Sequence, residues 1–428
     1  MLSTALLLLI FLLALSVPVA AVMGVLGLAL NQFYASMPLH RAMGEIIWNA
    51  SSEYILIAIP LFVMLGEILL RSGIAERVYN GIAQWLSWLP GGLMHANIGT
   101  CAMFAATSGS SVATAATIGT VAIPEIRKHN YHEALFLGTI AAGGTLGILI
   151  PPSINFILYG LLTNTSVPRL YLAGFVPGFM LAGFFMIIVL VACLLDRAKG
   201  GTPIETSWGR RLRALPALLP PLAIFLVVVG SIYVGIATPT EAASLGVIAA
   251  LILAASERRV SFVMLRGVAE GTMRTTAMIM LIIMAAQFLN FVLASIGLTD
   301  GLGKLIENLG LGKIGTMLLI IVFYLILGCF METISMMILT TPFIAPIVFK
   351  LGWDPVWWGI VLTILIEAAL ITPPVGLNLY VVQGMRGRGS INEVIRGSLP
   401  FVGAMIVLIV LLMAVPEVAL WLPKFVMG

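Results

Sequence analysis

The amino-acid sequence predicts an all-α polytopic membrane protein in which one structural unit occurs twice. The first observation is composition: 61% of the 428 residues are hydrophobic and 9% are charged, against roughly 25% charged residues in soluble domains. Repeated apolar runs of membrane-spanning length favour helices, whereas barrel strands would alternate. The second observation is a spacing. Pro124 precedes Pro151-Pro152 by 27 residues (151 minus 124), and Pro346 precedes Pro373-Pro374 by the same distance (373 minus 346).

Uninterrupted apolar windows are expected to cross the membrane as ordinary helices, since about 20 apolar residues span the hydrocarbon core. These windows are 5–30, 53–71, 168–195, 214–235, 238–256, 273–296 and 397–422. The first lacks a basic start and is too long for the apolar region of a signal peptide, so it is interpreted as a transmembrane helix. Two amphipathic stretches, 75–89 and 298–309, are expected to lie along the membrane surface.

Two further apolar regions, 131–163 and 355–384, each contain a proline pair in the middle. Proline removes a backbone donor and clashes with the preceding turn, so each helix is predicted to split at the pair. Exposed backbone at membrane depth persists only where it lines a cavity or is buried in protein. Broken helices at matched positions in two halves indicate a substrate or ion site in a secondary transporter.

An unusual segment precedes each broken helix, at 91–126 in the first copy and 311–349 in the second. Each segment has a polar centre, at 107–111 and 332–335 respectively. If the centre is a turn, the two arms are too short to cross a core of roughly 30 Å comfortably. Both segments are therefore predicted to be re-entrant helical hairpins.

The basic residues predict the orientation of the two copies, because Lys and Arg concentrate in cytoplasmic loops. With a cytoplasmic N-terminus and two re-entrant hairpins, the 22 Lys and Arg divide 16 to 6 in favour of the inner side. A hairpin that crossed the membrane would invert every later loop, and the basic residues would no longer concentrate on one side. The first hairpin then opens inward and the second outward, so residues 53–195 and 275–417 form an inverted repeat with an offset of 222 (373 minus 151).

The tip of the first hairpin and the first break are predicted to face each other. Ser108, Ser110 and Ser111 supply hydroxyls at the tip, and Asn155 follows the break at 147–153 by about a turn. Unwound carbonyls and the C-terminal ends of half-helices favour cations, whereas the N-terminal ends favour anions. The alternative interpretation of such a Ser/Gly run is close packing against a neighbouring helix.

The second hairpin and break mirror the first. Thr333 and Ser335 lie at the hairpin centre, and Thr372, Gly376 and Asn378 lie at or just after the proline pair. Thr340 and Thr341 follow on the same arm; Thr341, which precedes Pro342, has a second interpretation as a helix N-cap.

Two carboxylates, Glu332 and Glu367, lie in apolar surroundings, and an intramembrane carboxylate is by default a functional candidate. Glu332 can equally face the extracellular mouth, and Glu367 can equally be a paired structural group. Glu241, in the run Thr238-Pro239-Thr240-Glu241, is predicted to complete a capping box. Glu67 and Arg71, four residues apart near a helix end, are predicted to pair.

The sequence shows no catalytic Ser/His/Asp arrangement, HExxH, P-loop or paired catalytic carboxylates, so neither an enzyme nor an ATP-driven pump is expected. The three cysteines show no CxxC spacing and predict no disulfide or metal framework. The net charge of +4 comes from loop residues and indicates topology, not nucleic-acid binding. No cofactor is expected, and the energy for transport is expected to come from ions. A passive channel is the alternative.

Four motifs resemble those of the large membrane (M) subunit of TRAP transporters, and the resemblance covers essentially the whole chain. The motifs are ATSGSSVAT at 106–114, GILIPPS at 147–153, TPTEAA at 238–243 and TPPVGLN at 372–378. The resemblance implies a sodium-coupled elevator-type importer of an organic acid, such as sialic acid or a C4-dicarboxylate, in the bacterial inner membrane. The N-terminus would be cytoplasmic and the C-terminus periplasmic. A stand-alone sodium/dicarboxylate carrier of the same superfamily is the alternative.

The resemblance also implies partners and a division of the chain. A periplasmic substrate-binding protein (P type) would deliver the carboxylate. A separate small four-helix membrane subunit (Q type) would brace the scaffold in the lipid, since a repeat that begins near residue 53 leaves no room for it in this chain. Residues 1–90 and 196–310 would form scaffold and linker helices, whereas 91–195 and 311–428 would form the two halves of a transport domain.

The family pattern further implies two sodium sites, with sodium as the only metal. The first would use Ser108, Ser110, Ser111, Gly147 and Pro151, with Asn155 added from its place after the break. The second would use Thr333, Ser335, Thr372 and Gly376, with Asn378 added in the same way. The substrate carboxylate would lie between the hairpin tips, near Ser110, Ser153, Thr333 and Pro374.

Replacing Ser108 and Ser111 together by alanine is expected to weaken sodium-dependent uptake, because both hydroxyls belong to the first predicted site. Expression should be unaffected. Uptake measured over a range of sodium concentrations checks the expectation, and unchanged sodium dependence would count against the first site.

Overall fold

The computed structural model describes residues 1–15, 17–202, 206–298, 301, 310–328 and 331–428. Twenty α-helices have both ends inside these ranges, and no described residue lies in a strand. The first ten helices are α1 Leu2–Ala14, α2 Val19–Tyr34, α3 Met43–Ser51, α4 Ala58–Arg71, α5 Ile74–Leu86, α6 Leu93–Ser108, α7 Ser111–Lys128, α8 Glu133–Leu149, α9 Ile154–Thr163 and α10 Val167–Leu195. The others are α11 Trp208–Ala214, α12 Leu219–Tyr233, α13 Pro239–Ser256, α14 Phe262–Ser295, α15 Gly312–Leu327, α16 Thr333–Lys350, α17 Pro355–Ala369, α18 Leu377–Arg386, α19 Ile391–Ala414 and α20 Glu417–Met427.

The predicted fold class, an all-α polytopic membrane protein, is confirmed. Six helices among the described residues are long and apolar enough to cross a membrane, or up to eight if each of two bent pairs forms one span. Each predicted hairpin is a pair of helices, α6 with α7 and α15 with α16. Each predicted broken helix is also a pair, α8 with α9 and α17 with α18.

The helix breaks coincide with the proline pairs. The first broken helix bends by 45° between Leu149 and Ile154. The second ends its first half at Ala369 and resumes at Leu377. Both Pro-Pro peptide bonds are cis.

Several predicted spans differ from the structure at their ends. The window 5–30 is not one helix but two, because Pro18 interrupts it and α2 begins at Val19; proline lacks the donor that would continue α1. The window 397–422 likewise divides next to Pro416, where α20 begins. The window 273–296 belongs to a longer helix that already begins at Phe262. The surface stretch 75–89 matches α5, whereas 298–309 lies almost wholly outside the described residues.

The repeat is visible in the ends of the second hairpin arms. Helix α16 starts 222 residues after α7 starts (333 minus 111) and ends 222 residues after α7 ends (350 minus 128). Their N-caps correspond as well. The Ser110 hydroxyl accepts a hydrogen bond from the Ala113 N–H at 3.4 Å, and the Glu332 carboxylate accepts from the N–H groups of Ile334 and Ser335 at 3.1 Å each. Equivalent side chains therefore begin equivalent arms.

The two copies pack crosswise. Helix α7 of the first copy lies on α18 of the second, and α16 of the second copy lies on α9 of the first. The halves that precede the breaks are apolar on all sides: residues 135–149 of α8 and 356–369 of α17 are buried throughout. A helix that is hydrophobic all round belongs in an interior. The broken helices therefore form the centre of the molecule, and the hairpins and outer helices surround it.

Arg386, at the end of the second broken helix, forms an ion pair with Glu133 at the start of the first. Its side chain is only 4% exposed; its Nε donates to Glu133 at 2.9 Å, and it also pairs with Glu393. Arg388 adds a second contact to Glu133 at 3.0 Å. These contacts join the start of α8, the end of α18 and the start of α19.

Replacing Arg386 by alanine is expected to destabilise the protein by about 2 kcal/mol, because hydrogen bonds to charged groups contribute about 1.5–3 kcal/mol each and both carboxylates lose a buried partner. The midpoint of thermal unfolding in detergent measures the effect. Arg266→Ala is the matched control, since its pair with Glu270 is largely exposed on both sides and such pairs contribute about 0–1 kcal/mol. Equal losses in the two variants would contradict the structural role of Arg386.

Candidate functional site

A cavity of about 260 Å³ lies where the tips of the two hairpins meet helices α4 and α14. Its walls come from both copies of the repeat and from two helices outside the hairpins. Its polar lining consists chiefly of Glu67, Ser110, Ser111, Asn155, Glu332 and Thr333. Apolar residues such as Val63 of α4 and Ile279 of α14 close the remaining side.

The tip of the first hairpin touches the first break. Gly109 ends α6 with a positive φ of 60°, a conformation that glycine adopts without cost, and the chain then enters α7. Gly147 lies directly against the tip: a side-chain carbon at this position would lie 2.9 Å from the Ser110 carbonyl oxygen and 3.0 Å from the Thr114 hydroxyl. The absence of a side chain at Gly147 therefore lets the backbone oxygen of the hairpin reach the broken helix.

Two further predicted residues of the first site face the same region. Ser111 is 1% exposed, and its hydroxyl donates to the Glu367 carboxylate at 2.6 Å. Asn155 is fully buried, and neither its side-chain oxygen nor its nitrogen has a hydrogen-bond partner within the described ranges. Buried polar groups are otherwise almost always paired, so the Asn155 amide is available to a ligand.

The second hairpin also reaches the second break. Gly328, at the end of α15, packs against Ala369, which corresponds to Gly147 of the first copy (369 minus 147 is 222). The hydroxyl of Ser335 donates to Glu332 at 3.2 Å, and that of Thr372 donates to the Ala368 carbonyl at 2.7 Å. These hydroxyls have used their single hydrogens, so their oxygens can only accept further bonds or bind a cation.

Thr333 and Gly376 have different surroundings. Thr333 lines the cavity and is 3% exposed, so it faces Ser110 and Ser111 of the first hairpin. Gly376 ends the unwound segment with a φ of 58°, and a side chain there would meet the Thr372 carbonyl at 3.0 Å. Thr333 therefore belongs to the space between the hairpins, and Gly376 belongs to the break.

Some of the predicted site residues lie elsewhere. Asn378 faces the first copy, where its side-chain nitrogen donates to the Ala141 carbonyl at 3.2 Å. Ser153 is buried and Pro374 is exposed, and neither lines the cavity. Pro151 is buried within the break. The side chain of Ser108 lies outside the described part of the chain, although its backbone ends α6.

The four glutamates that the sequence analysis singled out have different surroundings in the structure. Glu332 caps α16 and lines the cavity. Glu67, also in the lining, pairs with Arg71 at 3.0 Å, and Glu241 completes the predicted capping box with Thr238; both predictions are confirmed. Glu367 is fully buried, and sequence reasoning missed its bond to Ser111. The available signal was that Glu367 is the only charged residue in α17, but that signal does not reveal the partner.

The described polar groups around the hairpin tips and breaks are mainly hydroxyl, carbonyl, amide and carboxylate oxygens. Hard cations prefer oxygen ligands of this kind. The region can therefore hold a small hard cation beside each hairpin tip. The cavity between the tips leaves space for a larger solute.

Comparisons with known proteins agree with this geometry. The family model for the DctM component of tripartite ATP-independent periplasmic transporters matches residues 6–418. The chain is 32% identical over 434 residues to the C4-dicarboxylate TRAP transporter large permease protein DctM of Vibrio cholerae, covering 96% of this chain and 95% of the relative. It is 30% identical over 380 residues to the sialic acid TRAP transporter large permease protein SiaM of the same organism, covering 88% of each.

A solved structure shares the fold. The YdaH transporter of Alcanivorax borkumensis, described as having an unusual topology, superposes with a TM-score of 0.58 at 17% identity, covering 97% of this chain and 98% of that one. The similarity extends over nearly the whole of both chains, so the two proteins share a fold.

Replacing Gly147 by alanine is expected to weaken the predicted binding of sodium at the first hairpin about tenfold, or ~1.4 kcal/mol, because the added carbon displaces the Ser110 carbonyl. The sodium dependence of the unfolding midpoint of the full chain measures this affinity. Gly183→Ala is the matched control, since nothing lies within 4 Å of a side-chain carbon there. An unchanged sodium affinity in Gly147→Ala would rule out a cation bound by the Ser110 carbonyl.

Proposed function

The chain belongs to the DctM family, the large membrane subunits of tripartite ATP-independent periplasmic (TRAP) transporters, and on that premise we propose that it imports an organic acid by sodium coupling. The observation that carries the proposal is the cavity between the hairpin tips, because residues of both repeats and of helices α4 and α14 line it together. A solute there contacts parts that can change position relative to one another. A channel would need no such convergence of two hairpins on one cavity.

The ends of two helices favour an acidic solute in this cavity. Helix α7 begins at Ser111 and α9 begins at Ile154, and both residues line the cavity. The N-terminus of a helix presents unpaired N–H groups and the positive end of its dipole, which favour a carboxylate. At α9 no side chain caps these donors. The third N-terminus, that of α16, already holds the Glu332 carboxylate.

The size of the cavity supports a small substrate. Its volume of about 260 Å³ lies just below the roughly 300–1,000 Å³ of pockets that hold drug-sized ligands. Two relatives are named for C4-dicarboxylates and for sialic acid. We therefore propose an organic acid of this class as the substrate.

Sodium is the proposed coupling ion, with one ion beside each hairpin tip. The first would be held by Ser110, Ser111, Gly147 and Asn155, and the second by Thr333, Ser335, Thr372 and Gly376. The contact of Gly147 with the Ser110 carbonyl supports the first set, and the acceptor-only hydroxyls of Ser335 and Thr372 support the second. No organic cofactor and no catalytic step belong to the proposal.

The motion we propose is of the elevator type, in which the hairpins and broken helices move together against the remaining helices. The crosswise packing of α7 on α18 and of α16 on α9 supports this, because it ties both halves of the moving part into one body. The proposed partners are a small membrane subunit against the scaffold and a periplasmic binding protein that delivers the acid. The proposed location is the bacterial inner membrane, with the N-terminus inside and the C-terminus outside.

Reconstitution into proteoliposomes tests the proposal. With the small subunit in the membrane, the binding protein outside and an inward sodium gradient, radiolabelled C4-dicarboxylate or sialic acid is expected to accumulate. Accumulation should stop when potassium replaces sodium or when the binding protein is omitted. Uptake by this chain alone would contradict the proposed tripartite assembly. Flux that does not depend on the sodium gradient would contradict the proposed coupling.

A further inference from the structure

We propose that Glu367 is a positioning residue for the cation at the first hairpin. Its carboxylate holds the only hydrogen of the Ser111 hydroxyl, so that the Ser111 oxygen faces the site purely as an acceptor. The inference rests on the proposed function, because it concerns the first of the two sodium sites. It adds to that site a residue from the opposite copy of the repeat.

The geometry at Ser111 carries the proposal. The Ser111 hydroxyl donates to Glu367 Oε2 at 2.6 Å, a short bond that joins α7 of the first copy to α17 of the second. A serine hydroxyl has one hydrogen and two acceptor lone pairs. With the hydrogen committed to Glu367, both lone pairs of Ser111 remain for a ligand. Ser111 lines the cavity, whereas Glu367 does not, so the carboxylate acts from behind the hydroxyl.

The isolation of Glu367 is the second observation. Its side chain is fully buried, and within the described ranges its other oxygen, Oε1, has no hydrogen-bond partner. No described Lys, Arg or His forms an ion pair with it. A buried carboxylate without a counter-charge is strongly disfavoured. A cation bound at Ser111 would supply that counter-charge at short range.

Neighbouring oxygens are placed to share the cation. A side-chain carbon at Gly144 would lie 3.0 Å from the Ser111 carbonyl oxygen and 3.2 Å from the side-chain nitrogen of Asn378. The side-chain oxygen of Asn378 is buried and has no partner among the described residues. Asn378 thus brings a buried acceptor without a described partner close to Gly144, which also lies against the Ser111 backbone.

The other copy of the repeat lacks this acid. The position that corresponds to Glu367 is Thr145 (367 minus 222), and its hydroxyl donates within its own helix to the Ala142 carbonyl at 2.6 Å. The carboxylate is therefore not part of what the two copies share. The first proposed site therefore has its carboxylate on the broken helix of the opposite copy, whereas the second has Glu332 on its own hairpin.

The test compares Glu367→Gln with the unmodified protein, each assembled with its small membrane subunit. The sodium dissociation constant is measured at fixed pH from the sodium dependence of the unfolding midpoint, with potassium keeping the ionic strength constant. The half-saturating sodium concentration and the maximal rate of uptake are measured in proteoliposomes. We expect the dissociation constant and the half-saturating concentration to rise at least about tenfold in Glu367→Gln, with a smaller change in maximal rate.

Further variants separate positioning from folding. Thr363→Val is the matched control, because Thr363 is fully buried one turn earlier on the same helix and bonds only to the Gly359 carbonyl among the described groups; its sodium affinity should stay within about twofold. Glu367→Asp keeps the charge and should retain part of the affinity. In a Ser111→Ala background, the Glu367→Gln change should have a clearly smaller effect than in the unmodified protein, because the two residues act as a unit.

The outcomes distinguish this inference from the proposed function. If the unmodified protein itself shows no sodium dependence, the proposed function fails. If the unmodified protein depends on sodium and Glu367→Gln binds sodium within about twofold of it, the role of Glu367 is overturned and the function stands. If Glu367→Gln does not fold, the Glu367→Asp variant decides: sodium affinity equal to that of the unmodified protein, together with additive effects of Ser111→Ala, would overturn the inference.

Discussion

The structure depends on one constraint: a backbone carbonyl or N–H group at membrane depth must have a partner or line a cavity. Two proline pairs free such groups in the middle of α8–α9 and α17–α18. The fold meets the constraint by burying the first break completely and by placing a hairpin tip against each break. The hairpin tips, with their Ser/Gly run and their side-chain caps, then bring hydroxyl, carbonyl and carboxylate oxygens to the same depth. The requirement to protect the backbone thus leads to two clusters of oxygen atoms beside one cavity.

The cavity combines two opposite preferences over a short distance. The N-termini of α7 and α9 favour an acid, whereas the carbonyl and hydroxyl oxygens behind them favour a cation. Binding of the cation and binding of the acid favour each other, because a bound cation lowers the electrostatic free energy of bringing a carboxylate close to Glu67 and Glu332. Under the proposed function, coupling between ion and substrate needs no distant communication. It follows from the electrostatics of neighbouring sites that share the residues of one hairpin tip.

Much of this arrangement could be predicted from the sequence, because its signals are local. The proline pairs predicted the two breaks, the 222-residue offset indicated the repeat, and Thr238 with Glu241 predicted a capping box. Local signals also failed where a single residue changed the outcome: Pro18 divided a window that looked continuous. The bond between Ser111 and Glu367 joins residues 256 positions apart (367 minus 111), and the bond from Asn378 to the Ala141 carbonyl joins residues 237 positions apart. Neither spacing nor periodicity records contacts of that kind, since they arise only when the two copies pack crosswise.

The crosswise packing also bears on how such a protein can originate. Two separate half-length chains, inserted in opposite orientations, would build the same interlocked body as an antiparallel pair, but every position would then carry the same residue twice. Joining the halves in one polypeptide removes that restriction. One position can then carry an acid, as Glu367 does, while its counterpart carries the hydroxyl of Thr145. Covalent fusion thus turns a symmetric frame into one whose two ion environments can be tuned separately.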